Sequence, residues 1–439
     1  MPLFLAFNPG RLSLILGDNM IVLEAKLKGT QTQYTALDSA LRTGLFVRNS
    51  CLRFWIDGHA KHRNDLNKYC KVLADNPEFP WVKNLNSMAR QAMAERTWAA
   101  IARFFDNCKK KAPGKKGFPR FKRLQTRASV EYKTSGWKLS DCRRYITFTD
   151  GFSAGTFFMW GTRDLHFYQL NQIKRVRVVR RADGYYVQFC VDVERNIKRS
   201  PTGKTIGLDV GLAHFYTDNE GNKVENPRLL RKSERRLKRQ QRRLSRKQKG
   251  SKNRAKQTNK LGRAHLKIQR QRNDWACKLA QCVVKSNDLV AFEDLQVPNM
   301  VKNRKLAKSI SDASWSMFRR WLEYFGTLYG VVTVPVPPQY TTQKCSSCGV
   351  IVKKTLSTRT HKCGCGAELC RDENAAKNIL ELGLRSAGHV LTSVFSTENA
   401  CGHDYLYCCN GNGAVASSVD EAGKSQGDLG ISHLFHQRV

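Results

Sequence analysis

Apolar residues recur along this chain with two periods, and the points where the period changes divide it into modules. Residues 21–28 alternate as a half-buried strand does. Between Thr35 and Ile56 the apolar positions are Leu37, Leu41, Leu45, Leu52 and Ile56, a spacing that predicts a helix. Asn76-Pro77 and Phe79-Pro80 interrupt it. Trp81, Leu85, Met88, Ala92, Trp98, Ile101 and Phe105 then restore the helical period, so a second long helix is expected and residues 31–112 form a helical module. The basic stretch from Lys109 to Lys122 carries Pro113, Gly114, Gly117 and Pro119 and cannot be helical throughout. Beyond it the chain turns β-rich: residues 145–149, 157–160, 173–180 and 185–193 are short runs of β-branched and aromatic residues, with Asp183-Gly184 as a hairpin turn. A small antiparallel barrel is expected over residues 113–200, with residues 20–30 as its first strand.

Ser200-Pro201-Thr202-Gly203 has the composition of a linker. Residues 205–209 and 214–217 then predict two strands joined near Gly211. Gly203-Lys204-Thr205 has the ending of a phosphate-binding loop, but Lys198 stands where the motif needs glycine and a strand comes next instead of a helix, which excludes nucleotide binding there. Residues 228–272 hold about twenty lysines and arginines and Glu234 as the one acid, with leucines at 229, 230, 237, 244, 261 and 266. This pattern predicts a basic helical hairpin broken near Gly250-Ser251. A strand over 289–292, a helix over 311–329, a strand over 331–336 and a short helix over 373–382 complete the patterned part. From residue 386 glycine, serine, asparagine and scattered acids replace the basic excess, and a mobile tail is expected over 386–439.

Composition sharpens this picture. The chain has 439 residues, 41% of them hydrophobic, enough for two or three packed modules. Its 76 Lys+Arg against 36 Asp+Glu give a net charge of +40, which in a folded, aromatic-containing chain points to a polyanionic partner, nucleic acid first. The basic hairpin belongs to that argument. A merely solvated helical face would carry compensating glutamates at i,i+4, and these are almost absent. Arg235, Arg236, Arg239, Arg242 and Arg243 are the candidate phosphate contacts. A membrane is not expected: there is no apolar run long enough to span one, no C-terminal lipidation box, and Pro2 follows Met1. Residues 1–19 lack a basic start and a cleavage site and are interrupted by Asn8-Pro9-Gly10-Arg11, so they read as a dispensable extension preceding a start at Met20. The 15 cysteines are mostly isolated among patterned segments and suit a reducing cytoplasm.

Two kinds of chemistry remain. Asp209 ends an apolar strand between Gly207 and Gly211; Glu293 and Asp294 follow another strand on opposite faces, so one of them can reach a shared site; Asp372 precedes a helix, where it would also serve as a cap. Carboxylates converging from separate elements are what a two-metal nuclease needs, because two Mg2+ ions roughly 3.5–4 Å apart must share ligands. Cys345-x-x-Cys348-Gly and Cys363-x-Cys365-Gly form two half-sites for tetrahedral Zn2+, each closed by a glycine that permits a tight turn. The second half-site is one residue short, which leaves His361 or Cys370 as substitutes for one thiolate. A redox pair is the weaker alternative, because no helix follows the first half-site. Cys401, His403, Cys408 and Cys409 have no periodic scaffold and are not read as a second site.

Gly207-Leu-Asp209-Val-Gly-Leu, Phe292-Glu293-Asp-Leu, Ser309-Ile-Ser-Asp-Ala-Ser-Trp315 and Arg371-Asp372-Glu-Asn-Ala-Ala-Lys-Asn-Ile resemble the TnpB family, nucleases encoded by insertion sequences and related to type V CRISPR effectors. Gly117-Phe-Pro-Arg-Phe-Lys122 and residues 49–52 are similar to it as well, and the likeness spans about residues 20–385. It implies an α+β multidomain chain: an RNase H-like (RuvC) α/β nuclease domain over 201–343, an inserted zinc ribbon over 344–369 and a last RuvC helix over 370–385, preceded by a wedge-type barrel carrying a helical recognition module. Asp209, Glu293 and Asp372 would be its catalytic, Mg2+-holding residues and Cys345, Cys348, Cys363 and Cys365 its zinc ligands. A guide RNA and target DNA would be its partners, in a prokaryotic cytoplasm at the nucleoid. One departure stands out: the family usually has Asp-Arg-Asp before Asn-Ala-Ala, where this chain has Cys370-Arg371-Asp372. Two other readings stand beside this one: a DDE-type transposase joining strands, and a nucleic-acid-binding regulator whose chemistry is impaired.

Overall fold

The computed structural model describes residues 20–111, 116–123, 128–161, 163–194, 197, 199–355 and 358–395. The expected extension 1–19 and the tail beyond residue 395, with its cysteines, lie outside them. One compact unit runs from Met1 to His389; of a second, Val390–Val439, only the end of the last helix is described.

The first sheet is antiparallel and built from β1 (Met20–Lys28), β2 (Ser129–Tyr132), β3 (Trp137–Leu139), β4 (Tyr145–Phe148), β5 (Gly155–Trp160), β6 (Ile173–Arg181) and β7 (Gly184–Asp192), in the order β2-β6-β7-β1-β5-β4-β3. It curls until its two halves meet through side chains. Tyr132 of β2 packs on Phe148 of β4 with ring centroids 5.5 Å apart, and its hydroxyl donates to Asp150 at 2.7 Å. Leu23, Val130, Ile146, Phe157, Val176 and Phe189 thereby share one core. β2 and β3 were not legible in the pattern, because four and three residues are too few to show an alternation.

Between β1 and β2 the chain makes α1 (Gln31–Ile56), α2 (Arg63–Asp75), a 3-10 turn at Pro80–Asn84 and α3 (Ser87–Lys109). Thr30 and Gln33 form a reciprocal capping box at the start of α1. The expected second helix starts six residues later than its apolar period, because Pro80 opens a separate turn and the Asn86 side chain accepts from Met88 N at 3.0 Å, fixing the first turn of α3. α2 was not expected. It buries only Leu66, Cys70, Leu73 and Ala74, too thin a stripe to stand out.

The second sheet has the order β10-β9-β8-β11-β12, from β8 (Thr205–Val210), β9 (His214–Asp218), β10 (Lys223–Glu225), β11 (Leu289–Glu293) and β12 (Val332–Val336). β8, β11 and β12 are parallel; β9 and β10 run antiparallel beyond β8. Both faces of β11 are covered, as the near-continuous apolar run Leu-Val-Ala-Phe requires. Val290 and Phe292 pack with Ala280 and Val283 of α5 (Lys252–Lys285) and with Phe318 and Leu322 of α8 (Trp315–Tyr329). Leu289 and Ala291 pack on the other side with Ile379 of α9 (Arg371–Phe395). α9 is longer than the short helix expected from 373, running past the point at which the composition changes. α9 lies tight against the sheet: a Cβ at Gly207 would come within 2.3 Å of the Ala376 carbonyl oxygen, and one at Gly383 within 2.4 Å of the Ala291 Cβ.

α4 (Leu229–Ser245) and α5 form the basic hairpin, broken where expected at Gly250, which takes a left-handed φ of 85°, and Ser251, which caps α5. The helix expected over 311–329 is two: Ser314, with φ 59°, separates α7 (Ala307–Ala313) from α8, while α6 (Val297–Met300) precedes both. Between β12 and α9 lies a small hairpin of β13 (Thr360–Lys362) and β14 (Glu368–Cys370). Among the described residues no helix is long and apolar enough to cross a membrane.

Candidate functional site

The strand order reverses between β8 and β11, and open sheets hold their ligands in the crevice beyond the carboxyl ends of such strands. Asp209 is the penultimate residue of β8 and Glu293 the last of β11. The close seat of α9 at Gly207 and Gly383 brings the first turn of that helix, with Asp372, to the same edge. Asp209 is crowded yet still reaches solvent. Its carboxyl is pushed well above the usual carboxylate range, first by burial, then by the charges of Glu293 and Asp372, with Arg371 opposing them. Burial also pushes Glu293 up, against the Thr341 hydroxyl, which donates to its Oε1 at 2.7 Å. Asp372 is held by Arg371 Nε at 3.1 Å. Asp294 goes to the opposite face, as the period of two requires, and pairs with Arg319.

The thiols form a second, tighter group. Sγ of Cys345 lies 3.7 Å from that of Cys365, Cys348 Sγ lies 3.5 Å from Cys363 Sγ, and all four lie within 4.8 Å of one another. Gly349 and Gly366 take φ of 80° and 86°, so each half-site does turn on a glycine. Four thiols at this spacing could bind zinc. Cys345 is pushed down to about 5: burial acts against this, but the backbone N–H groups of Cys348 and Ser347 and the His361 ring favour its thiolate. Cys348 is pushed up to about 12; the Val350 backbone lowers it, but the neighbouring thiols Cys363 and Cys365 outweigh that. Neither substitute ligand belongs to the group. His361 is fully buried with its Nδ1 against Lys354 Nζ, and Cys370 lies outside the four-thiol group and adds to the upward push on Asp209. Among the described residues the cysteines are the one ready-made group that could hold a metal ion; the carboxylates are neighbours by charge, Glu293 partly engaged by Thr341 and Asp372 by Arg371.

Several residues that hold these sites were not singled out from sequence. Asn374 and Asn378 are buried on α9. Asn374 accepts from Ser346 N at 3.0 Å, Asn378 donates to the Lys344 carbonyl at 2.7 Å and to that of Thr341 at 2.8 Å, and α9 is thus tied to the chain entering the cysteine cluster. Asp312 accepts from the backbone N–H groups of Leu230 at 2.8 Å and Arg231 at 3.1 Å, and from Arg272 at 2.8 Å, pinning both helices of the basic hairpin. The sole signal for them was the presence of polar residues inside the quoted motifs. Arg235, Arg236, Arg239, Arg242 and Arg243 are all exposed on α4, while Glu234 is spent on Lys238 and Lys308.

Residues 188–304 match a family model described as "Probable transposase", and residues 315–379 match one described as "Cas12f1-like, TNB domain". A Streptomyces pristinaespiralis protein named "Putative RNA-guided DNA endonuclease" is 34% identical over 315 residues, 71% of this chain and 75% of that protein. InsQ of Escherichia coli strain K12, with the same designation, is 30% identical over 323 residues, 70% and 77% of the two chains. The solved structure of a mini-RNA-guided endonuclease, CRISPR-Cas_phi3, shares the fold at a TM-score of 0.52 and 9% identity, covering 83% of this chain and 92% of that one. The mixed sheets, the crowded carboxylates and these matches define a transposase-related class. The chain belongs to the TnpB family.

Proposed function

We propose that this chain is an RNA-guided, Mg2+-dependent DNA endonuclease of an insertion sequence, cutting guide-complementary DNA at a single RuvC-like site. The observation that carries the proposal is the shared electrostatics of Asp209 and Glu293, at the carboxyl ends of two adjacent parallel strands, with Asp372 in the first turn of α9. Their oxygen-only donor set suits a hard divalent cation, and their mutual repulsion is what such a cation relieves. The chemistry supplied at such a site would be activation of water and stabilisation of the leaving oxygen. Asp209, Glu293 and Asp372 would hold them, Thr341 orienting Glu293 and Arg371 orienting Asp372.

The exposed arginines of α4 supply phosphate contacts, guide pairing reads the target, and side chains read a short flanking motif. A single centre must cut the two DNA strands in succession. Zn2+ on Cys345, Cys348, Cys363 and Cys365 holds the ribbon that α9 buttresses. The test is Asp209→Ala in protein co-expressed with its flanking DNA and purified with its RNA. Loss of groups that merely support a ligand costs about 10–100-fold, so loss of the ligand itself should lower Mg2+-dependent cleavage by more than about 100-fold, with DNA affinity unchanged or slightly raised. Cleavage by the variant at the wild-type rate would refute the assignment, and joined rather than cut products would favour strand transfer.

A further inference from the structure

A cavity of about 580 Å3 opens beside Glu293, bounded by the end of β11, the segment after it and the first turns of α8. Its volume is in the range of about 300–1,000 Å3 typical of sites for small organic groups. Phe292, Leu295, Phe318 and Leu322 make its walls apolar. Trp315 also lines it, is 6% exposed, and its buried indole Nε1 has no hydrogen-bond partner among the described residues. A buried indole N–H ordinarily finds an acceptor, so the fold leaves this donor unsatisfied.

We infer that this cavity is a nucleobase pocket, taking the base of a DNA nucleotide next to the bond cut at Asp209, Glu293 and Asp372, with the Trp315 indole N–H donating to an acceptor on that base. The inference rests on the nuclease reading above. A flat, largely apolar group bearing acceptors on its edge matches apolar walls that carry the Trp315 donor, with Ser316 and Arg320 also on the lining. A phosphate matches less well: Glu293 and Glu323 both line the cavity, Arg319 is already engaged by Asp294 and by Glu323 at 2.7 Å, and the other lining arginine, Arg320, donates its Nε–H to the Ser316 carbonyl at 3.0 Å. Every base carries an edge acceptor that the indole N–H can meet, so the pocket fixes the strand with little sequence preference. Drawing one base aside from the stack also turns the adjoining phosphate toward the carboxylates, a device used where chemistry must reach into a stacked strand.

The test uses the RNA-bound Asp209→Ala protein, so that the strand stays intact, and single-stranded DNA carrying 2-aminopurine at one position at a time. The expected result is a fluorescence change on binding confined to one or two adjacent positions. Trp315→Phe keeps the ring and deletes the N–H, and should abolish that change while weakening the strand's overall binding by no more than about tenfold, the scale of one hydrogen bond. Val297→Trp, which fills the cavity from its mouth, should do the same if the first variant does not fold. A change at every position, at none, or one that survives both variants overturns the inference. Cleavage by the otherwise wild-type chain is read separately: no cutting with the localised change intact would end the nuclease reading and leave the base pocket standing.

Discussion

Cys370 shows how one residue alters the site around it. Where the family pattern leads to a carboxylate, this chain places a thiol beside Asp209, so the cluster gathers one formal charge fewer while Arg371 stays between it and Asp372. The same thiol does not reach the cysteine cluster, which is complete with four ligands of its own. Thiolate is the form that binds zinc, and a hydroxyl is a far poorer ligand, so Cys348→Ser should lower bound zinc from about one per chain and loosen the ribbon. Elemental analysis reads the metal, and protease sensitivity near residues 345–365 reads the ribbon; a zinc-free wild type of full activity contradicts the assignment. Asp209, Glu293, Asp372 and the four cysteines were all visible in the sequence, because each sits in a short motif at the end of a patterned run. Thr341 and Asp312 were not: their partners lie 48 and 82 residues away, and no local spacing reports such a contact.

Among the elements, α9 does most to position the carboxylates, and glycine is the reason it can. Gly207, two residues before Asp209, faces the backbone of α9. A methyl group there meets the Ala376 carbonyl at 2.3 Å, which backbone cannot yield cheaply. Gly207→Ala should therefore destabilise the domain by about 1–3 kcal/mol, the usual cost of overpacking, and displace Asp372 enough to depress cleavage beyond what the lost stability explains. A thermal melt and a cleavage assay at low temperature separate the two effects; an unchanged melt would show that α9 is not seated on β8 as described. The basic hairpin was legible because leucines at helical spacing and a Gly-Ser break survive any amount of charge. Its anchoring by Asp312 was not, and neither were α2, with its thin buried stripe, and β2 and β3, four and three residues long. The hairpin's arginines are exposed, as phosphate contacts must be. Replacing Arg239 and Arg243 with Gln should reduce the slope of log affinity against log salt by about 1.4–1.8, two contacts' worth at about 0.7–0.9 each, with sequence preference unchanged. A salt titration of both proteins decides it, and equal slopes would return α4 to the status of a solvated face.

Across the whole molecule a net charge of +40 has to coexist with a folded core. The protein manages this partly by burying carboxylates among its arginines. Where the helical module meets the curled sheet, Glu131 is buried on β2 between Arg175 at 2.7 Å and Arg177 at 2.5 Å, and Arg175 also reaches Glu95 of α3 at 3.2 Å. Burial is the largest influence on Glu131 and pushes its carboxyl up, but Arg177, Arg96 and Arg175 together outweigh it and hold the group below the usual carboxylate range. In the unfolded chain Glu131 takes up its proton near about pH 4.3, while the native chain resists until the pH is lower, so its contribution is complete above that value and is lost as the pH falls through the native pKa. Glu131→Gln keeps the shape, removes the charge and leaves Arg177 without its carboxylate, while Arg175 keeps Glu95 alone. It should cost about 3–5 kcal/mol at neutral pH, the scale for breaking a buried pair by removing one partner, and much less in acid. Denaturant melts of the two proteins at pH 7 and at pH values below about 4 test this directly: the curves should converge as the wild-type carboxylate protonates. A stability gap that stays constant with pH would mean that Glu131 acts by packing and not by charge, leaving the arginines of β6 to be balanced elsewhere.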